Sequence, residues 1–178
     1  GTRRARVPRC THMDIRSVED KAAWDGFVMS RPDYTFLQGW NWGEFNRTRG
    51  EMVWRFGIFE GDEQRGCCQA ITVTARRGKF LFVPHGPLLA EETEQEDFTA
   101  LLTRLREVAR AEACVFIRIS PLAVASSERL DWFARSGFVH APSYMHAEET
   151  WLLPIADDEA ALRADMRKTT RNLIGRAE

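Results

Sequence analysis

The chain has 178 residues, of which 44% are hydrophobic and 29% are charged, as is usual for a globular protein with one well-packed domain. Its net charge of −1 excludes a global basic field that would attract DNA or membranes, but it still allows a local basic patch. No apolar stretch approaches the roughly 20 residues that span a bilayer, and no signal peptide is visible.

The first residues and the cysteines add little chemistry. We interpret residues 1–12 as a vector-derived linker and Met13 as the native start, with a native basic arm as the alternative. The linker contains Cys10. The other cysteines, Cys67, Cys68 and Cys114, lack metal-ligand spacing, so we predict no metal site. We expect them to be buried, inert thiols of a cytoplasmic protein, with the adjacent pair pointing to opposite faces of a strand.

Hydrophobic periodicity predicts the elements of the first half in chain order. A strand at 13–16 precedes a helix capped by Ser17 that runs to about Met29, with Val18, Ala22 and Phe27 or Val28 inward. Residues 30–33 end that helix, and a second helix covers about 36–47. Alternation then predicts three antiparallel strands, from residue 53, at 67–75 and at 79–84, separated by turns at 61–66 and 76–78.

The second half begins with an amphipathic helix. Its apolar stripe consists of Phe98, Leu101, Leu102, Leu105, Val108 and Ala109. A buried strand at 115–119 follows, then a helix at 126–136 with Leu130, Trp132 and Phe133 on its apolar side. Strands at 138–140 and 149–153 and a terminal helix capped by Asp157 complete the prediction. This order is that of the GNAT acyltransferase fold, an α/β fold with a mixed central sheet flanked by helices.

Four segments together resemble the FemABX family of aminoacyltransferases, which build peptidoglycan side bridges. They are 36–45 (FLQGWNWGEF), 82–89 (FVPHGPLL), 116–121 (FIRISP) and 166–172 (MRKTTRN). The family contains two copies of the GNAT fold. The resemblance therefore implies one copy at residues 13–155, and a helix at 156–178 that leads into a second, missing copy.

The resemblance implies transfer of an aminoacyl group from aminoacyl-tRNA to an amine of a peptidoglycan precursor stem peptide. Aminoacyl-tRNA would be the co-substrate, and no other cofactor is implied. The precursor is UDP-linked or lipid-linked, and peripheral membrane contact is compatible with the second carrier. We expect this chain alone to be inactive, and to self-associate through the surface that normally packs on the missing domain.

The resemblance also implies the site residues. The second helix borders the acceptor cleft with Gln38, Trp42 and Glu44, and the later segments and the loop after them add His85, Gly86, Arg118, Ser120 and Tyr144. Some family members have lysine at position 44 and aspartate at position 120. Because serine is no carboxylate base, the catalytic residue stays unknown, with Ser120 and His85 as weak candidates.

A basic ridge on the terminal helix is the predicted contact to tRNA phosphates. It includes Arg167, Lys168 and Arg171, with Arg163 one turn earlier. Each site residue also has a structural interpretation, namely core packing for the tryptophans, an ion pair for Arg118 and a solvated face for the ridge.

Two other functions stay open. One is a GNAT-type N-acyltransferase with another donor. Acetyl-CoA itself is disfavoured, because residues 85–92 offer one glycine and two glutamates where a phosphate cradle would be needed, and the glycine lies between Pro84 and Pro87, which have no N–H groups. The other is a non-catalytic peptide-binding module of the same fold.

Overall fold

A computed structural model describes residues 13–76, 78–90, 94–122, 126–147 and 158–177. The chain divides into two compact units, the first ending at Val139 and the second beginning at His140. In these described ranges no helix has the length and apolar character needed to cross a membrane. The predicted linker at 1–12, the strand at 149–153 and the Asp157 cap lie outside the described residues.

The first unit is built on a mixed sheet of five strands in the order β1-β2-β3-β4-β5. The strands are β1 (Met13–Ser17), β2 (Val53–Glu60), β3 (Glu63–Ala75), β4 (Gly78–Pro84) and β5 (Ile117–Ser120). Neighbours are antiparallel except β4 and β5, which are parallel. Together with the flanking helices, this sheet confirms the predicted α/β, GNAT-like fold.

The helices of the first unit lie between these strands in the chain, except for the last helix, which follows β5. They are α1 (Lys21–Ser30), a 3-10 turn (Phe36–Gln38), α2 (Trp40–Thr48), α3 (Glu94–Ala111) and α4 (Ser127–Arg135). The predicted stripe of α3 is fully buried and packs on the sheet through strand residues such as Phe56, Ile58, Leu81 and Val83. Trp132 of α4 completes this core by contacting Phe98 edge-on, with 4.7 Å between ring centroids.

Cys67 and Cys68 demonstrate the alternation within β3. Cys68 belongs to the core under α3, whereas Cys67 packs with Trp24 of α1, so the two thiols face opposite sides of the sheet as predicted. Burial raises the pKa of both thiols, most strongly by desolvation of the charged form. Cys114 is partly exposed, which corrects the prediction that all three are buried.

Several predicted elements differ from the structure. Ser17 pairs with Phe56 at the end of β1, so Asp20 caps α1 instead, accepting a hydrogen bond from Ala23 N–H at 2.6 Å. Ala22 is exposed, and Trp24 takes the inward place. The buried strand predicted at 115–119 begins only at Ile117 and is half-buried, and Val115 and Phe116 before it are largely exposed.

The end of the chain also differs. Residues 138–140 form no strand. The predicted single terminal helix is two, α5 (Glu159–Asp165) and α6 (Lys168–Ala177), both within the second unit. The Arg171 guanidinium closes α5 by donating to the carbonyl oxygens of Arg163, Ala164 and Met166. Leu130 of α4 is exposed rather than inward.

Candidate acceptor site

Segments that are far apart in the sequence meet where β4 and β5 end. Pro84 and Ser120 are opposite each other as the last pair of these parallel strands. The backbone N–H of His85 donates to Ser120 Oγ at 3.2 Å. Gln38 reaches the same place from the 3-10 turn, donating from Nε2 to Pro84 O at 2.7 Å. The first three segments of the resemblance are therefore joined by hydrogen bonds at one end of the sheet.

Gln38 replaces a rung of the ladder between β3 and β4. Their pairing begins at Ile71 and Phe82 and, continued by two residues along each strand, would join Gln69 to Pro84. The Gln38 carboxamide lies there instead, accepting from Gln69 N–H at 2.7 Å and donating to Pro84 O. It is fully buried. The structure thus places this predicted substrate-binding residue inside the fold, out of contact with solvent.

The Gln38 carboxamide leaves no room for a side chain at Gly86. A Cβ atom at this position would lie 2.6 Å from Gln38 Nε2, which is closer than real Cβ contacts allow. Beyond Gly86 the chain rejoins β3 through an isolated bridge between Cys67 and Leu88. The loop of residues 85–87 therefore bulges away from the sheet over the glutamine, and a glycine is needed for that close approach.

A buried polar network holds α2 on the sheet. Arg55 of β2, almost completely buried, donates from Nε to Gln69 Oε1 and from Nη2 to Trp40 O and Glu44 Oε1, at 2.8–2.9 Å. Its guanidinium also lies 3.6 Å from the centre of the Trp40 ring. Burial lowers the pKa of Arg55, although the adjacent Glu44 carboxylate opposes that shift. Gly43 is required because a Cβ there would overlap the guanidinium.

Glu44 is consequently explained by its neighbours. Its carboxylate balances the buried charge of Arg55 and also accepts from Arg47 Nη1 at 2.9 Å. A lysine at this position would bring a second cation beside a guanidinium that is already desolvated, which is strongly unfavourable. The negative charge at position 44 therefore matches the buried positive charge of Arg55 within this fold.

His85 has an unusual backbone conformation. Its φ is +46°, in the left-handed region, where histidine is more frequent than most other non-glycine residues. Besides the contact of its N–H with Ser120, its ring Nδ1 lies 3.1 Å from Thr35 Oγ1. The imidazole is thus attached to the segment that precedes the 3-10 turn.

A cavity of about 410 Å³ lies between α1 and α2 and includes Thr35 in its wall. Aromatic rings form much of this wall. Trp42 contacts Phe36 edge-on at 5.5 Å and stacks on Phe45 at 5.3 Å, and both phenylalanines are largely exposed. Mostly apolar concave sites with few polar groups are typical of ligand binding. Trp42 itself is partly exposed at this cavity, although its indole Nε1 is buried.

Thr35, Arg55 and Gln69 were missed by sequence reasoning. Arg55 and Gln69 stand at inward positions of alternating strands, where a polar residue must find buried partners, and this was the available signal. Thr35 carried no such signal, since its contact depends on a residue 50 positions later.

The region after β4 is poorly suited to bind a phosphate group. The first turn of α3 contains Glu94, Glu96 and Asp97, so negative charge already occupies the helix end that would attract an anion. Glu94 is paired with Arg129 of α4 at 2.6 Å. Within the described ranges no three His, Cys, Asp or Glu side chains are grouped so that they could hold a metal ion.

Comparisons with known proteins agree with this arrangement. The sequence model of the FemAB family matches residues 20–135, which is more than half of the chain and includes the whole site described above. This chain belongs to the FemAB family. A comparison with curated proteins finds no match.

Solved structures similar to this FemAB-family chain include that of FemX, with 20% sequence identity and a TM-score of 0.67. The match covers 89% of this chain but only 42% of FemX, so the chain spans less than half of that relative. A transcriptional regulator from Bacillus halodurans C-125 matches with 16% identity over 76% of this chain and 100% of its own (TM-score 0.54).

A predicted acetyltransferase with acetyl-CoA from Clostridium acetobutylicum matches with 13% identity over 77% of this chain and 96% of its own, at the same TM-score of 0.54. These identities establish a common fold and nothing further.

The remaining predicted site residues of this FemAB-family chain are more scattered. Arg118 lies on β5 opposite Phe82, two residues before Ser120. Tyr144 belongs to the second unit, where its hydroxyl is 3.4 Å from His140 Nε2. Arg167 and Lys168 lie at the break between α5 and α6 and at the start of α6, while Arg171 uses its guanidinium to close α5.

Proposed function

We propose that this chain is the acceptor-binding part of an aminoacyltransferase that acts on a peptidoglycan precursor in the cytoplasm. Family membership supports the reaction class, and one observation supports the location. Gln38, His85 and Ser120, far apart in the sequence, are linked at one end of the sheet beside an aromatic cavity. The family's three leading segments thus build one site.

In the proposed reaction an amine of the stem peptide attacks the ester carbonyl carbon of aminoacyl-tRNA. A C–N bond forms, the ester C–O bond breaks, and the ribose oxygen leaves with a proton that balances the one lost by the amine. Because the ester is already activated, most of the catalysis can come from positioning. His85 is the residue of this site whose ring could carry the proton between the two groups.

Recognition of the acceptor is assigned to the surface around this point. Arg118 offers a guanidinium suited to a phosphate or carboxylate, and Trp42 offers a partly exposed ring. Since Glu44 neutralises Arg55, we propose that position 44 makes no contact with the carrier's diphosphate. Arg167 and Lys168 are proposed to meet tRNA phosphates, and aminoacyl-tRNA is the only co-substrate in this proposal.

The test is a calorimetric titration of the chain with UDP-MurNAc-pentapeptide, with acetyl-CoA as the parallel ligand. We expect binding of the precursor alone. Arg118→Ala should weaken it about tenfold or more, the usual effect of removing a charged hydrogen-bonding partner. Arg104→Ala, which removes an exposed arginine of α3 that is paired with Glu107 and lies over the Phe56 ring, should leave the affinity unchanged.

Binding of acetyl-CoA alone would instead favour an acyltransferase with that donor. Binding of neither ligand would refute this acceptor. A precursor that binds as well to Arg118→Ala as to the wild-type chain would exclude the proposed location.

A second candidate is a non-catalytic binding module. It is favoured by Ser120, whose hydroxyl stands where the family's aspartate is expected and accepts a hydrogen bond from His85 N–H. The two candidates are separated in the full-length protein by measuring transfer of a labelled amino acid from tRNA to the bound precursor. Precursor binding without any transfer would identify the module.

A further inference from the structure

His85 is held at two points, its backbone and its ring. Ser120 Oγ accepts a hydrogen bond from the His85 backbone N–H and so helps to hold His85 at a positive φ, which few residues other than glycine adopt. Thr35 Oγ1 lies 3.1 Å from Nδ1 and so fixes the ring. Backbone and ring thus have separate supports, on β5 and on the segment before the 3-10 turn.

Thr35 stands at a position where a threonine usually serves another purpose. It is the N-cap residue of the turn Phe36–Gln38, with extended backbone angles of φ −135° and ψ 164°, yet its hydroxyl makes no capping hydrogen bond there. Threonine at an N-cap normally bonds the N–H groups of its own helix. Here the hydroxyl instead contacts a ring 50 residues further along the chain.

The surroundings of Thr35 connect this contact to the proposed site. Thr35 contributes to the wall of the cavity that also contains Phe36 and Trp42. Its hydroxyl therefore lies between the aromatic cavity and the histidine beside Ser120.

We propose that Thr35 is a positioning residue of the acceptor site, which holds the orientation of the His85 imidazole. This inference rests on the proposed function. The threonine hydroxyl can donate to Nδ1 or accept from it, so the hydrogen bond is compatible with either tautomer and acts on the orientation of the ring. The direction in which the imidazole faces the acceptor site therefore depends on Thr35.

The first measurement is spectroscopic and does not depend on any substrate. The ¹⁵N shifts of the His85 ring are recorded for the wild-type chain, Thr35→Val and Thr35→Ser, and the signals are assigned by their loss in His85→Asn. Asparagine tolerates left-handed backbone angles, so this variant removes the ring while keeping the backbone conformation. Thr99→Val, on the exposed face of α3, is the matched control.

We expect Thr35→Val to shift the His85 ring signals, most strongly that of Nδ1, because this nitrogen loses its hydrogen bond, with an otherwise unchanged backbone amide spectrum. Thr35→Ser should restore the wild-type shifts because it retains the hydroxyl, and Thr99→Val should have no effect. Ring shifts in Thr35→Val that coincide with those of the wild-type chain would overturn the inference.

The second measurement is the affinity for UDP-MurNAc-pentapeptide. We expect Thr35→Val to weaken it about 3- to 10-fold, as for one lost hydrogen bond, and Thr35→Ser to bind within about twofold of the wild-type chain. Shifted ring signals with unchanged affinity would overturn the role of Thr35 in the acceptor site. If the wild-type chain does not bind the precursor, the proposed function fails, and the ring spectra then decide the Thr35–His85 contact by themselves.

Discussion

Replacing Gln38 by leucine tests whether this residue is part of the fold or of the substrate-binding surface. Glutamine and leucine have similar volumes, so the change leaves no large cavity. It removes a carboxamide that is fully buried and bonded to Gln69 N–H and to Pro84 O, each at 2.7 Å. Both backbone groups then lie between β3 and β4 without a partner.

The expected magnitude follows from those two groups. A buried polar group that loses its partner costs about 1–3 kcal/mol, so Gln38→Leu should lower the free energy of unfolding by about 2–6 kcal/mol. This is a large part of the roughly 5–15 kcal/mol that stabilises a typical domain. Gln95→Leu, in the exposed first turn of α3, should change the stability by less than about 0.5 kcal/mol.

Urea denaturation followed by tryptophan fluorescence measures the effect. An unchanged slope with a lower midpoint would report a loss of stability alone. The reasoning is refuted if Gln38→Leu is as stable as Gln95→Leu. It is equally refuted if Gln38→Leu keeps its stability and loses precursor binding, because Gln38 would then contact the substrate directly.

The remaining predictions concern packing, acid stability and thiol reactivity. Gly43→Ala should destabilise the chain in thermal unfolding, since the new Cβ would lie 2.5 Å from a glutamine oxygen of the network under α2. Gly26→Ala on α1, whose new Cβ would meet nothing within 4 Å, should stabilise the chain by about 0.5–1 kcal/mol. A Gly43→Ala chain more stable than the Gly26→Ala chain would contradict the packing. Burial raises the pKa of Asp25, but hydrogen bonds from a lysine and from the first N–H of α2 lower this pKa overall. The ionised Asp25 therefore stabilises the folded chain above about pH 4, and this stabilisation is lost as the pH falls through the lower pKa of the folded state. Asp25→Asn should remove that part of the acid sensitivity, measured by unfolding between about pH 2 and 6. Iodoacetamide labelling followed by peptide mapping should modify Cys114 in the native chain and Cys67 only on unfolding. Burial raises the pKa of both thiols, but Cys114 is partly exposed whereas Cys67 is completely buried and its pKa is raised more strongly. Rapid native labelling of Cys67 would disprove its burial.

The fold was largely predictable because it depends on local patterns. The stripe of α3 follows from helical periodicity, and the sheet from alternation on either side of tight turns such as that at Gly61. The errors are at element ends, where a pairing partner decided the outcome. Ser17 looked like a helix cap in the sequence but pairs with Phe56 in β1, and no local signal distinguishes these two uses of a serine.

The site was predictable only as a set of segments. The sequence indicated that Gln38, Glu44, His85 and Ser120 belong together, but their tasks depend on distant neighbours. Gln38 looked accessible on a helix face, whereas the structure buries its carboxamide between two strands. Glu44 looked like an altered substrate contact, whereas it balances Arg55.

The sequence by itself determined the family, the α/β class and the segments that form the site, because these are recorded in residue types and their spacing. Only the tertiary structure decided which of those side chains face inward and which reach the surface. The contact between Thr35 and His85, 50 residues apart, exists because the 3-10 turn and the end of β4 meet above the sheet. Contacts of this kind arise from the geometry of packing between elements, which the pattern within any single element does not contain.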